Sequence, residues 1–517
     1  MKTTDLLRKC LFFIVCLAGA IACTESSDIK SLIPDKPSNA PDYFCTWNVQ
    51  TYVMNGRTPM KGMVEQNLFG KGKYEGWTNF YPKIRKDLIF VMDDSWDVPV
   101  TDTTHSHNFG TIALDPTRFP SFKGNDQERL KQLVDSIKGR GWRGAGGWIA
   151  AEKAEKFTEI PDKDFWTMRL QESNHAGLSY WKVDWGRQCH NKEWRRMITN
   201  LGHQHAPGMW VEHASVHNYW EFAPPMHLHY ARFSDIFRTY DVENITAQPV
   251  TIQRICDLLP FSAEEGAKGI LNCEDEPYIA AGLGCAIGIM RYPFLGNLPD
   301  GTPDKPFPEV GRNVKSRIDE VIRGVRWHRI AEPFGIGSVP YTIDEQRLHD
   351  NWILHENETW VQTHTIGEAV QVSAPARVSR GMALPELSDS SMEDRPYVLA
   401  SRYPNGAIAL VSVSRTLGRE YYTKEVGVTI PVEDIDVPVG IFGYFKDVTL
   451  VFPQNVEWGK HKIYAQDLAG DTPVEITNEV KLENNRLIIP SEVIRHVGLM
   501  AAGTGDNSDP GLVLRIF

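Results

Sequence analysis

The first part of the chain alternates two patterns of hydrophobic positions. Between residue 43 and about residue 337, short apolar runs of strand length are separated by longer stretches with helical periodicity. The predicted strands are Tyr43–Thr51, Leu88–Met92, Arg143–Ile149, Tyr180–Val183, Met209–His213, one within Tyr230–Val242, Gly269–Asn272 and Cys285–Met290, with helices at Gln127–Gly139, Lys192–Gly202, Thr251–Leu259 and Val314–Ile330. Eight strands that alternate with helices predict a parallel (β/α)8 TIM barrel.

Beyond residue 337 the pattern changes to period two. Gly, Pro and Asp turns separate the apolar runs Trp360–Thr365, Ala407–Val413, Gly427–Ile430, Asp447–Phe452, Arg486–Ile489 and Gly511–Phe517. Short alternating runs of this kind predict an antiparallel β-sandwich. We therefore expect a barrel at 43–340 and a C-terminal sandwich domain at 341–517.

The N-terminus has the features of a targeting segment. Three cations precede the apolar run Leu11–Ala22, which small residues connect to Cys23. This arrangement resembles a bacterial lipobox, so we expect a signal peptide at 1–22, a lipidated Cys23 and a flexible tether at 23–42. Such a protein is anchored by lipid to the outer membrane, in the periplasm or at the cell surface. Simple secretion after cleavage nearby is the alternative.

Charge and cysteine content narrow the classes of partner. The net charge is -11 and no cluster of Lys and Arg is present, which argues against nucleic-acid binding and leaves neutral substrates open. Five cysteines follow the lipobox without any CxxC pair, so neither a disulfide framework nor a zinc cluster is indicated. The pairs His203/His205 and His227/His229 lack a third ligand at a suitable spacing, so we expect no metal at these histidines. A structural calcium ion held by carboxylates is left open.

The fourth predicted strand carries the most distinctive chemistry. Side chains alternate between the faces of a strand, so Tyr180, Lys182 and Asp184 share one face while Trp181 and Val183 share the other. Inward-facing groups at the carboxyl end of a barrel strand are where barrel enzymes hold catalytic residues. A cation two residues away favours the ionised form of Asp184, which could then act as a nucleophile. A structural ion pair is the alternative interpretation.

Other predicted strands also end in polar or aromatic residues. Asp93 and Asp94 follow the second strand, where ionised carboxylates can accept hydrogen bonds from sugar hydroxyls or cap a turn. Trp47, Trp96 and Trp148 follow or end the first three strands, and each can stack on a sugar ring or belong to the core.

The fifth and sixth units add further acids. Glu212 lies in the fifth strand on the face opposite Val211, and we include it among the candidate substrate-binding residues. The sixth unit offers Asp235 and Asp241, and both could follow a strand.

Together these motifs resemble the α-galactosidase clan of glycoside hydrolases, families twenty-seven and thirty-six. The resemblance covers roughly residues 43 to 297 and is carried by Trp47-Asn48, Asp93-Asp94-Ser95-Trp96, Phe119-Pro-Ser-Phe-Lys-Gly, Tyr180-Trp-Lys182-Val-Asp184 and Phe237-Arg238-Thr-Tyr-Asp241. Thr46 replaces a glycine of the first motif, and Trp185-Gly186 stands where many relatives carry Asn-Cys. These departures leave the identity of the sugar more open than the type of reaction.

The resemblance implies retaining hydrolysis by two carboxyl groups and without a cofactor. It assigns Asp184 as the nucleophile and Asp241 as the acid/base, three residues after Arg238. Asp235 is the alternative acid/base, because Ser234-Asp235 is similar to the motif of the other family. The implied sugar-binding residues are Trp47, Asp93, Asp94, Trp96, Trp148, Lys182, Glu212 and Arg238.

Three functions fit these expectations. The favoured one is an exo-acting α-galactosidase that removes terminal galactose from an oligo- or polysaccharide. The second keeps the reaction but changes the sugar, to a β-L-arabinopyranoside, an α-N-acetylgalactosaminide or an isomaltose-type substrate. The third is a non-enzymatic lipoprotein that binds glycans at the cell surface. The oligomeric state is left open.

Overall fold

The structure of the protein is a computed structural model that describes residues 29–102, 107–214, 227–239, 247–304, 313–354 and 367–517. The predicted signal peptide, Cys23, Asp241 and the run Trp360–Thr365 lie outside the described residues. No helix within the described ranges is both long and apolar enough to cross a bilayer.

Eight parallel strands form a closed barrel in the order of the sequence, which confirms the predicted TIM barrel. They are β1 Tyr43–Cys45, β2 Ile89–Met92, β3 Gly144–Ile149, β4 Tyr180–Val183, β5 Trp210–Ala214, β6 Ile236–Arg238, β7 Ile270–Glu274 and β8 Ala286–Ile289. Parallel pairing of β1 with β8 closes the ring.

Helices follow most of the strands and surround the barrel. They are α1 Trp47–Val53, α2 Glu65–Phe69, α3 Asp126–Lys138, α4 Asp162–Ala176, α5 Lys192–His205, α6 Ala247–Leu258, α7 Pro277–Leu283 and α8 Ile318–Trp327. The predicted first strand was too long, because the residues after Cys45 turn into α1. The predicted helix Val314–Ile330 is interrupted at Arg317, whose backbone is not helical (φ -132°, ψ 50°).

The inside of the barrel changes character along its axis. Alternate residues of the strands form an interior apolar cluster that contains Tyr43, Ile89, Val91, Tyr180, Ile236, Ile270, Ala286 and Met290. Their outward neighbours, such as Phe90 and Trp181, belong to the large core against the helices. Toward the carboxyl ends of the strands the inward positions become polar, which places charged side chains at one end of the barrel.

The C-terminal domain contains a sandwich of an eight-stranded and a five-stranded sheet, together with two separate two-stranded sheets. Its strands are β9 Tyr341–Ile343, β10 Arg347–Ile353, β11 Ala369–Pro375, β12 Arg377–Arg380, β13 Glu386–Leu387, β14 Tyr397–Arg402, β15 Ile408–Val413, β16 Arg415–Leu417, β17 Glu420–Tyr422, β18 Gly427–Pro431, β19 Val439–Phe442, β20 Asp447–Val451, β21 Ile463–Asp467, β22 Val474–Glu475, β23 Lys481–Glu483, β24 Arg486–Pro490 and β25 Gly511–Ile516, with helix α9 Ser491–Gly498 before the last strand. The larger sheet has the order β22-β21-β25-β19-β15-β14-β12-β9, and the smaller sheet has the order β13-β18-β20-β24-β23.

Strand directions in the sandwich are mostly antiparallel, as predicted, but not throughout. The pairs β12/β14, β15/β19 and β18/β20 are parallel. After β15 the chain passes to other strands, including β18 of the smaller sheet, before it returns at β19 beside β15. A strand that returns to its sheet after such a crossing can run in the same direction as its neighbour.

Helix α8 and Arg317, the residue before it, connect the barrel to the C-terminal domain through buried ion pairs. Arg323 donates to both carboxylate oxygens of Asp467 at 2.9 and 3.0 Å, and Arg317 donates to Asp509 at 2.6 Å. Trp327 packs edge-on against Phe442 beside them. The expected boundary at 340/341 falls directly before β9.

Candidate functional site

Asp184 follows β4 at the polar end of the barrel and faces inward. Trp181 and Val183 point into the outer core, as the alternation predicted. The carboxylate is held on both oxygens: Arg238 Nη2 lies 3.1 Å from Oδ1, and the indole N–H of Trp148 donates to Oδ2 at 3.0 Å. Asp184 is only 7% exposed, so its position is fixed by the barrel wall.

These contacts determine the charge of Asp184. Burial alone would raise its pKa, but the charges of Arg238 and Lys182 and the hydrogen bond from Trp148 outweigh burial, so the pKa of Asp184 is lowered. The carboxylate is therefore ionised at neutral pH. An ionised, oriented carboxylate can attack an electrophilic carbon or accept hydrogen bonds.

A buried cation in the helix layer fixes the backbone around Asp184. Arg195 of α5 donates to the carbonyl oxygens of Asp184 at 2.8 Å and Cys189 at 2.7 Å, and its Nη1 lies 3.0 Å from Nδ1 of His213. Sequence reasoning missed this residue, since nothing in the amphipathic pattern of α5 separates the buried Arg195 from Arg196, which is only half-buried.

Lys182 pairs directly with Asp93 rather than with Asp184. Its ammonium lies 2.8 Å from Oδ2 of Asp93, and both side chains are buried. The thiol of Cys45 donates to the same oxygen at 2.9 Å. Lys182 influences Asp184 only through its charge. The cation that contacts Asp184 directly is Arg238, and the sequence did not identify this pair.

Asp94, unlike Asp184, keeps its proton. The hydroxyl of Ser95 donates to its carboxyl group at 2.8 Å, and the backbone N–H of Asp94 donates to Asp93 at 2.9 Å. Burial, followed by the charge of Asp93, raises the pKa of Asp94 to about 8. Asp94 is thus protonated at neutral pH and can donate as well as accept a hydrogen bond.

Arg238 brings together three carboxylates from three strands. Its guanidinium lies 3.1 Å from Asp184, 3.4 Å from Glu212 and 3.3 Å from Glu274. Tyr180 and Asn272 each donate to Glu212 at 2.8 Å. Burial raises the pKa of Glu212, although Arg238 and Lys182 act in the opposite direction.

Glu274 was not predicted as a site residue. It ends β7, where Ile270, Asn272 and Glu274 alternate on the inward face in the same manner as the residues of β4. The hydroxyl of Tyr43 donates to it at 3.2 Å. The alternation that identified Asp184 was also present in this strand and could have found Glu274.

The tryptophans have roles that differ from the predicted ones. Trp96 is fully buried and donates to the carbonyl oxygen of Trp148 at 2.8 Å, so its predicted stacking on a sugar is wrong. Trp148 is 2% exposed, and its indole N–H orients Asp184. It therefore has no free ring face on which a sugar could stack. Trp47, the first residue of α1, is partly buried against the barrel interior and remains a candidate for stacking.

Asp235 lies at the opposite end of the barrel from Asp184. It precedes β6, and it interacts with Nε2 of His203 at 2.9 Å and accepts from the backbone of Val211 at 3.3 Å. The alternative assignment of Asp235 as acid/base is therefore wrong, because a residue before a barrel strand cannot reach the carboxyl ends. Asp241 follows β6 in the sequence but is outside the described residues.

Histidines and cysteines form no further site in the described part of the chain. No three His, Cys, Asp or Glu side chains there are grouped as a metal ion would require. His227 stacks on Tyr230 and contacts His190 at 3.1 Å. The cysteines Cys45, Cys189, Cys256, Cys273 and Cys285 are buried free thiols.

Comparisons with known proteins found similarity among solved structures. No family model matches the chain, and no curated protein does. The chain is similar to α-galactosidase I from Mortierella vinacea, with 13% identity, a TM-score of 0.38, and coverage of 92% of this chain and 96% of that one. It is also similar to a GH27 β-L-arabinopyranosidase from Geobacillus stearothermophilus, with 10% identity, a TM-score of 0.36, and coverage of 92% and 96%. An α-amylase from Geobacillus thermoleovorans matches with 9% identity, a TM-score of 0.43, and coverage of 93% and 99%.

Proposed function

We propose that this protein is a retaining, exo-acting glycoside hydrolase that removes terminal α-linked galactose from oligo- or polysaccharides. The observation that carries the proposal is the ionised, inward-facing carboxylate of Asp184, fixed by Arg238 and Trp148 at the carboxyl end of a closed barrel. The resemblance of the residues before Cys23 to a lipobox supports action at the cell surface or in the periplasm.

The reaction proceeds by double displacement. Asp184 attacks the anomeric carbon while Asp241 gives a proton to the departing glycosidic oxygen, and a covalent glycosyl ester forms. Asp241 then takes a proton from water, which attacks the same carbon and releases Asp184. The position of Asp241 in the sequence supports this role, because the chain leaves β6 at Arg238, whose guanidinium contacts Asp184.

The surrounding charges suit a neutral, hydroxyl-rich ring. Asp93 can accept hydrogen bonds from hydroxyls, Lys182 can donate them, and protonated Asp94 can do both. Acids outnumber cations among the described side chains of the site, since Arg238 alone serves three carboxylates. We therefore expect uronic acids and sulfated sugars to be excluded by repulsion.

The decisive experiment combines a variant with chemical trapping. Asp184→Asn should lower hydrolysis of 4-nitrophenyl α-galactoside by at least about a thousandfold, because it removes the nucleophile. A 2-deoxy-2-fluoro galactoside should label Asp184 covalently, as mass spectrometry of the peptide would show. Asp241→Asn should also lose activity, and added azide should restore turnover of substrates with good leaving groups.

Substrate identity is tested with the same protein and a panel of aryl glycosides. Faster turnover of the β-L-arabinopyranoside, the α-N-acetylgalactosaminide or an α-glucoside would keep the mechanism and change the sugar. Unchanged hydrolysis by Asp184→Asn would contradict the mechanism. Sugar binding without turnover of any substrate would instead identify a non-catalytic glycan-binding protein.

A further inference from the structure

Residues 29–42 make up the larger part of the predicted tether, and we call them the N-terminal strap. The strap is packed against the protein, and four of its side chains are only 2–4% exposed: Leu32, Ile33, Ser38 and Ala40. The backbone N–H of Leu32 donates to the side chain of Gln466, in β21, at 2.6 Å. The chain is therefore attached to the sandwich before it reaches the barrel.

The strap then crosses the amino end of the barrel. The backbone N–H of Ser38 donates to Asp87 at 2.9 Å, and Arg143 donates to a carbonyl oxygen of the strap. Asp87 and Arg143 lie just before β2 and β3, at the amino ends of these strands. Oδ2 of Asp42 lies 2.6 Å from Nδ1 of His328, and β1 begins directly after Asp42. The strap therefore lies at the end of the barrel opposite the candidate site.

The start of the strap lies where the amino end of the barrel meets the sandwich. Gln466, which holds Leu32, also donates to the carbonyl oxygen of Gly470 at 3.0 Å. The same oxygen accepts at 2.9 Å from Arg326, in the last turn of α8. Helix α8 ends next to His328, which contacts the other end of the strap. The chain therefore enters the described structure beside β21, at the amino end of the barrel.

The predicted lipid anchor is close to this point along the chain. Residues 24–28 separate Cys23 from Ile29, where the strap begins. A fully extended chain advances at most about 3.6 Å per residue, so the distance from Cys23 to Ile29 is at most about 22 Å. The barrel strands alone rise nearly as far, because β3 has 6 residues and a strand rises about 3.3 Å per residue. The loops beyond the strands add to this height, so a lipid on Cys23 does not reach past the carboxyl end of the barrel.

We propose that the strap orients the protein on a lipid bilayer into which the acyl chains on Cys23 insert. The amino end of the barrel, beside β21, faces the lipid headgroups, and the mouth of the barrel faces away from the membrane. The proposal depends on lipidation of Cys23, and it does not depend on the proposed reaction. In this orientation a glycan reaches the candidate site from the solution side, without passing between the protein and the bilayer.

The test compares the distances of four surface positions from a bilayer by fluorescence energy transfer. The full lipidated chain is reconstituted in vesicles of phosphatidylethanolamine and phosphatidylglycerol that contain a rhodamine-labelled lipid as the acceptor. Single cysteines for the donor dye are introduced at exposed positions: Lys36→Cys and Asp471→Cys at the amino end, and Glu155→Cys and Leu295→Cys at the carboxyl end. The natural cysteines of the described chain are buried, which shields them from the dye.

We expect energy transfer from the two amino-end positions to exceed that from the two carboxyl-end positions at least about twofold, because the ends are about 20 Å or more apart. Transfer that is equal, or that is stronger from the carboxyl end, would overturn the proposal. Mass spectrometry of the N-terminal peptide should find the lipid on Cys23, and an unmodified Cys23 would also overturn it.

A longer spacer is the matched control for the strap. Insertion of about twenty Gly and Ser residues between Thr24 and Glu25 gives a coil with a root-mean-square length of about 25 Å, which lets the protein turn on its anchor. The difference in energy transfer between the two ends should then largely disappear. If the longer spacer left the difference unchanged, the strap would not orient the protein and the proposal would be wrong.

The same measurement on Asp184→Asn separates the orientation from the proposed reaction. This variant should keep the stronger transfer from the amino end, because Asp184 lies inside the barrel. Equal transfer from both ends, with normal hydrolysis of aryl glycosides by the wild type, would overturn the orientation and leave the proposed function standing. Stronger transfer from the amino end, with undiminished hydrolysis by Asp184→Asn, would support the orientation and contradict the proposed function.

Discussion

At the scale of single residues, the site contains an acid that keeps its proton, Asp94, and an acid that is ionised, Asp184. Because its pKa is raised to about 8, Asp94 keeps its proton in the folded protein while the unfolded chain loses it above about pH 4. Folding stability contributed by this group therefore falls as the pH rises from about 4 to 8. Asp94→Asn removes that dependence, and its stability relative to the wild type should improve by about 1 kcal/mol or more between pH 5 and pH 8.

Denaturant unfolding of both proteins at several pH values measures this difference. Asp97→Asn is the matched comparison, because burial raises the pKa of Asp97 to about 6. The difference in unfolding free energy between Asp97→Asn and the wild type should therefore stop growing near pH 6. A difference between Asp94→Asn and the wild type that is the same at pH 5 and pH 8 would show that Asp94 is ionised in the folded state.

Glu274 offers a second test at this scale. Its negative charge shares Arg238 with Asp184, so Glu274→Gln should let Arg238 stabilise the ionised form of Asp184 more strongly. The acid limb of the pH profile of kcat/KM should then move to lower pH. Glu265→Gln, an exposed acid in the loop before β7, should leave the profile unchanged. A shift to higher pH would contradict the shared ion pair.

Individual side chains were harder to predict from the sequence than the faces they occupy. The alternation along β4 predicted that Tyr180, Lys182 and Asp184 point inward, and this is confirmed. Sequence patterns could not predict that Trp96 is buried, because the Trp96 indole fits against Gly147, a residue distant in the sequence. Stacking, burial and hydrogen bonding of a tryptophan depend on partners that periodicity does not specify.

At the scale of elements, the strand after which an acid appears decides what the acid can do. The sixth strand could only be placed within Tyr230–Val242, and both Asp235 and Asp241 lie inside that window. The structure begins β6 at Ile236, which puts Asp235 at the amino end. The start of a three-residue strand is a detail that a hydrophobic pattern cannot resolve, and here it separates a structural acid from a catalytic candidate.

The contact between Arg195 of α5 and the backbone after β4 can be tested by substitution. Arg195→Lys should lower kcat about tenfold or more and change KM less, because one ammonium cannot replace a fork that holds the backbone of Asp184 and Cys189. Steady-state kinetics and thermal unfolding measure both effects. Arg196→Lys is the control, since this neighbour pairs with Glu264 near the surface. Equal effects of the two substitutions would exclude a positioning role for Arg195.

At the scale of the whole molecule, the period-two pattern predicted a sandwich but not how it attaches to the barrel. Connections between sheets, and with them the parallel pairs such as β15/β19, are set by chain path rather than by local alternation. The attachment depends on a pair between Arg323 of α8 and Asp467 of β21, both of which are buried. Nothing in the spacing of these two residues, 144 positions apart, marks them as partners.

We expect this buried pair to make the stability of the barrel and that of the sandwich interdependent. Asp467→Asn leaves the guanidinium of Arg323 buried without its counter-charge and should lower the free energy of unfolding by about 3–5 kcal/mol. The double variant Arg323→Met, Asp467→Leu should recover most of that loss, because no unpaired charge remains. Calorimetry should show one lowered transition if the barrel and the sandwich unfold together.

Arg57→Met, which removes an exposed pair with Asp300, should change stability by less than about 1 kcal/mol. If Asp467→Asn were no more destabilising than Arg57→Met, the pair would not hold the domains together.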